Sequence, residues 1–182
     1  TATTEIYTLS LHDVLPILLA EHLDRICSIR VREAADGDPL RPGQCLICPG
    51  GSHLFIQARG VELLARVRAG RPEDLYKPSV NILFHSVVAA AGPRALGVLL
   101  TGMGQDGAQG LLALKKAGAF TIAQDEASSV VYGMPRAAAE IGAACRVLPL
   151  GRIPELIAYL SRRTAAPQAG SSGSSSRRSS KE

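Results

Sequence analysis

Tryptophan is absent from this 182-residue chain, and aromatic residues make up only 4% of it. That scarcity argues against an aromatic-rich β-sandwich. It favours a core of Leu, Val, Ile and Ala in packed helices and buried parallel strands. No apolar run approaches the ~18 residues needed to span a bilayer. No charged start followed by an apolar stretch opens the chain as a signal peptide would. An excess of charge is also missing from the body. The net +4 resides in Arg162, Arg163, Arg177, Arg178 and Lys181 against Glu182, so residues 1–161 hold 15 basic and 15 acidic residues. A nucleic-acid-binding body carries its basic face on the folded part, so no nucleic-acid partner is expected.

A hydrophobic share of 46% is enough for a real core and excludes disorder throughout. The length suits one domain with an appendage. The appendage is residues 162–182. From residue 165 it reads AAPQAGSSGSSSRRSSKE, in which seven of 18 residues are Ser and none is a large aliphatic. Such a composition cannot offset the entropy of ordering, so a disordered Ser/Arg-rich tail is expected. The four cysteines, Cys27, Cys45, Cys48 and Cys145, read as reduced thiols of a cytoplasmic protein.

Apolar residues Leu15, Leu18, Leu19, Leu23 and Ile26 recur at helical spacing and predict a helix to about Cys27. Gln44–Ile47, stopped by Pro49-Gly50-Gly51, predicts a strand. His53–Gln57 and Val61–Val67 flank Ala58-Arg59-Gly60 as a hairpin. Ser79 stands as N-cap before a helix over 80–88 that stops at Gly92-Pro93. The second half alternates. Ala95–Leu100 is a buried strand, followed by a glycine-rich loop and a helix over 111–117. Phe120–Ala123, a helix over 135–141, Val147-Leu148 and a helix over 153–160 complete it. That order predicts an α/β fold, with βαβ crossovers, a doubly wound and mostly parallel sheet, helices on both faces, and a small antiparallel hairpin. Ligands in such sheets sit where strands end and loops begin.

The loop Thr101–Gly107 is the strongest candidate site. Its three glycines let backbone N–H groups turn towards a ligand. Asp106 stands among them and directly precedes the next helix. It fits three roles: lining a phosphate cradle at the helix N-terminus, orienting a catalytic His, or capping the helix that follows. A phosphate is disfavoured, because Asp106 would repel it and the loop has no Lys. Cys45-Leu46-Ile47-Cys48 has the spacing of a redox or metal half-site, but there is no second pair. On a strand its thiols point to opposite faces, so two structural thiols are expected and no metal. His22, His53 and His85 read as surface or structural residues, and Ser128 and Ser129 as loop caps.

Longer stretches are familiar. Leu100-Thr101-Gly102-Met103-Gly104-Gln105-Asp106-Gly107-Ala108-Gln109-Gly110 and Thr121-Ile122-Ala123-Gln124-Asp125 through Tyr132-Gly133-Met134-Pro135 resemble the catalytic domain of CheB-type chemotaxis protein-glutamate methylesterases. Lys77-Pro78-Ser79-Val80, Leu83-Phe84-His85-Ser86-Val87, Glu33-Ala34-Ala35-Asp36-Gly37 and Cys48-Pro49-Gly50 extend the likeness, which covers about residues 18–161. The resemblance implies hydrolysis of glutamate methyl esters, and deamidation of glutamines, on methyl-accepting chemotaxis receptors. It implies no cofactor and no metal, a cytoplasmic monomer that meets the membrane only through the receptor, and a place in a phosphorelay.

The resemblance also implies a Ser-His-Asp triad. Asp106 matches the acid, and the Met103 backbone N–H is a candidate oxyanion donor. The family's Gly-Ala-Ser-Thr-Gly-Gly turn, which follows its first strand, occurs nowhere in these 182 residues. Asn81 stands where the family commonly has an acid. The triad His should fall at about Ser10; His12 misses by two positions and has the wrong neighbours. Residues 1–17 read as a non-native-looking segment, closer to a translated adaptor than to protein. The chain therefore reads as an N-terminally truncated methylesterase domain, inactive by itself, in which Asp106→Asn should cost little stability. The rival reading is a non-catalytic module that holds a receptor helix or a small anion at the glycine-rich loop.

Overall fold

The computed structural model describes the backbone of residues 11–165 and the side chains of residues 15–162. The expectations for residues 1–10 and 166–182 lie outside the described residues. A helix α1 (Leu11–Ile26) precedes a parallel pair, β1 (Arg30–Glu33) and β2 (Gln44–Ile47). An antiparallel hairpin follows, β3 (Ser52–Arg59) with β4 (Glu62–Ala69). Helix α2 (Val80–Ala90) leads to β5 (Leu96–Leu99). Then come α3 (Ala108–Lys116), β6 (Phe120–Gln124), α4 (Met134–Glu140), β7 (Arg146–Leu148) and α5 (Ile153–Ala165). Strands β5, β6 and β7 form a parallel sheet in that order. The α/β architecture and the hairpin are as the sequence predicts. Helix α5 runs to Ala165, into the stretch read from sequence as tail.

The main core joins β5 and β6 to α2, α3 and α4. Leu99, Leu111, Leu114, Ala123, Ala138 and Phe84 are buried together. Helices α2 and α3 meet closely at Gly110, where a Cβ would lie 2.7 Å from Phe84 Cβ. The Asn81 side-chain carbonyl accepts from the Gly110 N–H at 2.8 Å and ties the two helices. A smaller cluster of Ala34, Leu54 and Ala65 holds the hairpin against β1 and β2. Asp36 strengthens that junction by accepting from Arg66 Nε at 2.7 Å and from the Val67 N–H at 3.0 Å. Ser86 Oγ accepts from the Ile56 N–H and fastens the hairpin to α2.

One expectation needs correction, and one element escaped the sequence reading. The periodicity of α1 predicts an inward apolar face, yet Leu15, Leu18, Leu19 and Ile26 are exposed and only Ala20 is buried among the described side chains of α1. Helical spacing marks a stripe but cannot say what covers it. Strand β1 was not legible at all. Its sequence, Arg-Val-Arg-Glu, has one apolar residue, and Val31 alone is buried.

Candidate functional site

The site is built at the C-terminal end of β5. Beyond Leu99 the chain enters the loop that carries Thr101–Gly107, and that loop is held on both sides. The Thr101 N–H donates to the buried Gln124 side chain at the end of β6. Thr101 Oγ1 donates to the Val131 carbonyl and accepts the Val131 N–H. The Gly102 carbonyl accepts from the N–H groups of Gly133 and Met134. Glycine is required where the two loops cross: a Cβ on Gly133 would lie 2.7 Å from the Gly102 carbonyl oxygen. The stretch Gln124–Pro135 is therefore the clamp that shapes the glycine-rich loop. Ser128 and Ser129 serve as the predicted loop caps, both donating to Asp125. Met103 stands at the crest, 82% exposed.

Asp106 does not cap the helix that follows it. Gly107, at φ +87°, fills the N-cap position of α3, with no side-chain capping bond. Asp106 is 5% exposed, and its carboxylate turns onto the N-terminus of α2 instead. Oδ1 accepts from Ser79 Oγ at 2.9 Å and from the Asn81 N–H at 3.1 Å, and Oδ2 accepts from the Val80 N–H at 2.6 Å. Ser79 is thus shared, since its Oγ also accepts from the Ile82 N–H as the N-cap of α2. A carboxylate can accept about four hydrogen bonds. Three are taken, which leaves acceptor capacity on Oδ2.

His53, read from sequence as a structural or surface residue, is structural and buried here. It is 4% exposed and lies next to the same corner. Its Nδ1 accepts from the Ser79 N–H at 3.3 Å, and its Nε2 is 2.9 Å from Asp74 Oδ2. Because a backbone N–H can only donate, the proton sits on Nε2 and faces Asp74. Asp74 also accepts from the Arg71 N–H at 2.7 Å. That backbone bond first, and His53 second, hold its carboxyl below the usual range. A cavity of about 240 Å³ opens here, lined by His53, Asp74, Tyr76, Ser79, Gln105 and Asp106 among others. The glycine-glycine turn before His53 was the only signal in the sequence.

Ser, His and Asp are all present at this corner, but their wiring is structural. Ser79 donates to the acid, and His53 receives a backbone N–H rather than the Ser79 hydroxyl. A Ser nucleophile needs its hydroxyl proton directed to a base, and neither residue offers that arrangement. Elsewhere, His85 is exposed, and the side chain of His12, on the first turn of α1, lies outside the described residues. Cys45 and Cys48 are half-buried free thiols. Burial pushes the Cys48 thiol up to about 11.

A parallel α/β sheet with a hydrogen-bonded, buried carboxylate in the loop after a strand defines the class: an α/β domain whose candidate site lies at the C-terminal edge of the sheet. The chain belongs to the CheB methylesterase family, whose model matches residues 6–157. A protein-glutamate methylesterase/protein-glutamine glutaminase of Anaeromyxobacter dehalogenans is 53% identical over 145 residues, 80% of this chain and 41% of that protein. One from Bordetella parapertussis is 51% identical over 139 residues, covering 76% and 40%. The crystal structure of the Thermotoga maritima CheB methylesterase catalytic domain superposes with a TM-score of 0.76 at 33% identity, covering 80% of this chain and 77% of that one. The chain thus spans about two fifths of the length of the curated relatives it matches.

Proposed function

We propose that this chain carries the acid-bearing part of a protein-glutamate methylesterase that hydrolyses glutamate methyl esters, and deamidates glutamines, on chemotaxis receptors. The observation that carries the reading is Asp106. It is buried at the C-terminal end of the sheet, fixed by three hydrogen bonds, and keeps acceptor capacity on Oδ2. That is what the acid of a triad requires: a rigid carboxylate able to receive a His N–H, hold its tautomer and stabilise the imidazolium. In the reaction, a Ser hydroxyl would attack the ester carbonyl while the His takes its proton. Methanol would leave with that proton, and water would then release the acyl group. For a glutamine substrate, ammonia would leave instead. The Met103 N–H is the oxyanion donor we assign, because it lies in the same rigid loop.

Leu75, Met103 and Val130 are apolar and all more than four fifths exposed. Such side chains suit an amphipathic receptor helix. No described helix is long and apolar enough to cross a membrane. We place the protein in the cytoplasm, as a monomer without cofactor or metal, reaching the membrane only through the receptor and answering to a phosphorelay. Among the described residues, Ser79 and His53 are both committed to structural bonds.

Methanol release from a methylated receptor tests the assignment. This chain should release none above buffer, because loss of a triad nucleophile costs about six orders of magnitude in turnover. Joined to the family's Ser-bearing turn and its His, it should turn over, and Asp106→Asn should then lower the rate by about four orders of magnitude. Near-normal turnover of that variant would remove Asp106 from the catalytic machinery.

A further inference from the structure

The loop after β5 sends neighbouring residues into two different cavities. Asp106 lines the cavity of about 240 Å³ that also holds His53. Gly104 lines a second one, of about 370 Å³, together with Tyr132, Arg136 and Glu140. Gln105 and Tyr76 line both, so the two cavities adjoin. Tyr76 lies directly over the loop: at Gly104, φ +85°, a Cβ would stand 2.7 Å from Tyr76 Oη. Tyr132 is held by its backbone bridge to Gly102. The second cavity is rich in unused hydrogen-bond donors. Arg136 of α4 donates from Nε to Glu140 Oε1 at 2.9 Å. Both of its Nη groups, and the hydroxyls of Tyr76 and Tyr132, have no partner among the described residues. A guanidinium held by its Nε keeps its outer nitrogens for a further acceptor, and a carboxylate is the acceptor that matches them. Glu140 is the opposing charge in the lining, and it is already engaged with Arg136.

We propose that this second cavity is a specificity subsite for one free carboxylate of the substrate helix, an acidic side chain one or two turns from the residue that reacts, and that Arg136 selects for it. The proposal rests on the esterase reading for the helix and for the place of reaction; the donors around the cavity stand without it. Side chains four and seven residues apart share a helix face. Two adjoining cavities therefore take two side chains of one face, the ester or amide beside Asp106 and the carboxylate beside Arg136. Hydrogen bonds from a guanidinium to a carboxylate are about twice as strong as neutral ones. A neutral ester or amide in the second cavity gains no such bond, so the subsite ranks substrates by the carboxylates they retain. Each hydrolysis also leaves a new carboxylate, which improves the neighbouring position as a substrate.

The test is fluorescence anisotropy of two dansyl-labelled amphipathic helical peptides, built on Ala, Leu and Lys, with the 182-residue protein. Each carries one central glutamine for the first cavity. The acidic peptide has glutamate four and seven residues to either side of it, and the neutral peptide has glutamine there. The acidic peptide should bind on the order of tenfold tighter. Arg136→Gln should abolish that preference and leave the neutral peptide's affinity unchanged, and Arg136→Lys should restore part of it. Glu140→Gln should widen the preference, a gain that misfolding cannot produce. Lys116→Gln, which removes an exposed cation of α3, should leave it as it is. The proposal is overturned by no binding of the acidic peptide, by equal affinity for the two, by a preference that survives Arg136→Gln, by loss of both peptides in that variant, or by an equal loss of preference in Lys116→Gln. None of these readouts uses turnover, so failure of the subsite and failure of the esterase reading are seen separately.

Discussion

Ser79 Oγ lies 2.9 Å from Asp106 Oδ1, across 27 positions of sequence, and joins the first turn of α2 to the loop after β5. The same hydroxyl caps α2, so one residue anchors both the helix and the carboxylate. Rigidity at Asp106 is therefore set by α2 rather than by the helix that follows it.

That bond changes what Asp106→Asn should do. The sequence alone leaves the acid without partners and implies little cost. In the structure an amide nitrogen would face either the Val80 N–H or the donors at Oδ1, donor against donor. The variant should lose about 1–3 kcal/mol, read as a lower urea midpoint with an unchanged slope. It should also couple with Ser79→Ala in a double-mutant cycle. An unshifted midpoint would contradict this geometry.

Acid should loosen the same corner through Asp74. Its carboxyl is held below its ordinary value by the Arg71 N–H and by His53. A depressed folded value means stability that is complete above the unfolded value of about 3.9 and lost as pH falls through the folded one. Asp74→Ala should flatten that part of a melting-temperature profile. A profile identical to the parent below pH ~4 would show the contacts to be energetically idle.

The thiols should separate by reactivity. Burial raises Cys48 to about 11, with Glu33 adding to the shift. Burial also opposes Cys145, but hydrogen bonds from Thr121 and the charges of Lys115 and Arg146 bring it below the usual range. At pH 8 the thiolate fraction of Cys48 should be on the order of a hundredfold below that of an ordinary cysteine. Iodoacetamide followed by peptide mapping should find Cys145 modified well before Cys48.

Gly107 and Gly37 both sit at φ +87°, but only Gly107 is enclosed. A Cβ there would stand 2.8 Å from Leu99 Cδ1 and from Val80 Cγ1, whereas one at Gly37 would meet nothing within 4 Å. Gly37→Ala should cost about 1–2 kcal/mol of backbone strain. Gly107→Ala should cost more, because two side chains, Leu99 in the main core and Val80 packed against it, must also shift. Equal midpoints in denaturant would show that the packing relaxes freely.

Much of the fold was legible because it is written in local patterns. Gln44–Ile47 and the capped helix after Ser79 follow from apolar runs and stop signals that act within a few residues. The glycine-rich loop and Asp106 were legible as chemistry for the same reason. What Asp106 touches was not, because its partners lie 25 to 27 positions away and depend on how α2 packs. Nor could the sequence say which contacts make His53 a structural histidine: its burial and its bonds to Ser79 and Asp74 exist only once the hairpin folds back against α2. The apolar stripe of α1 makes the same point from the other side. Periodicity determines which residues of an element want cover, and only the tertiary arrangement decides whether anything covers them, because burial is a property of neighbours brought together from distant parts of a chain.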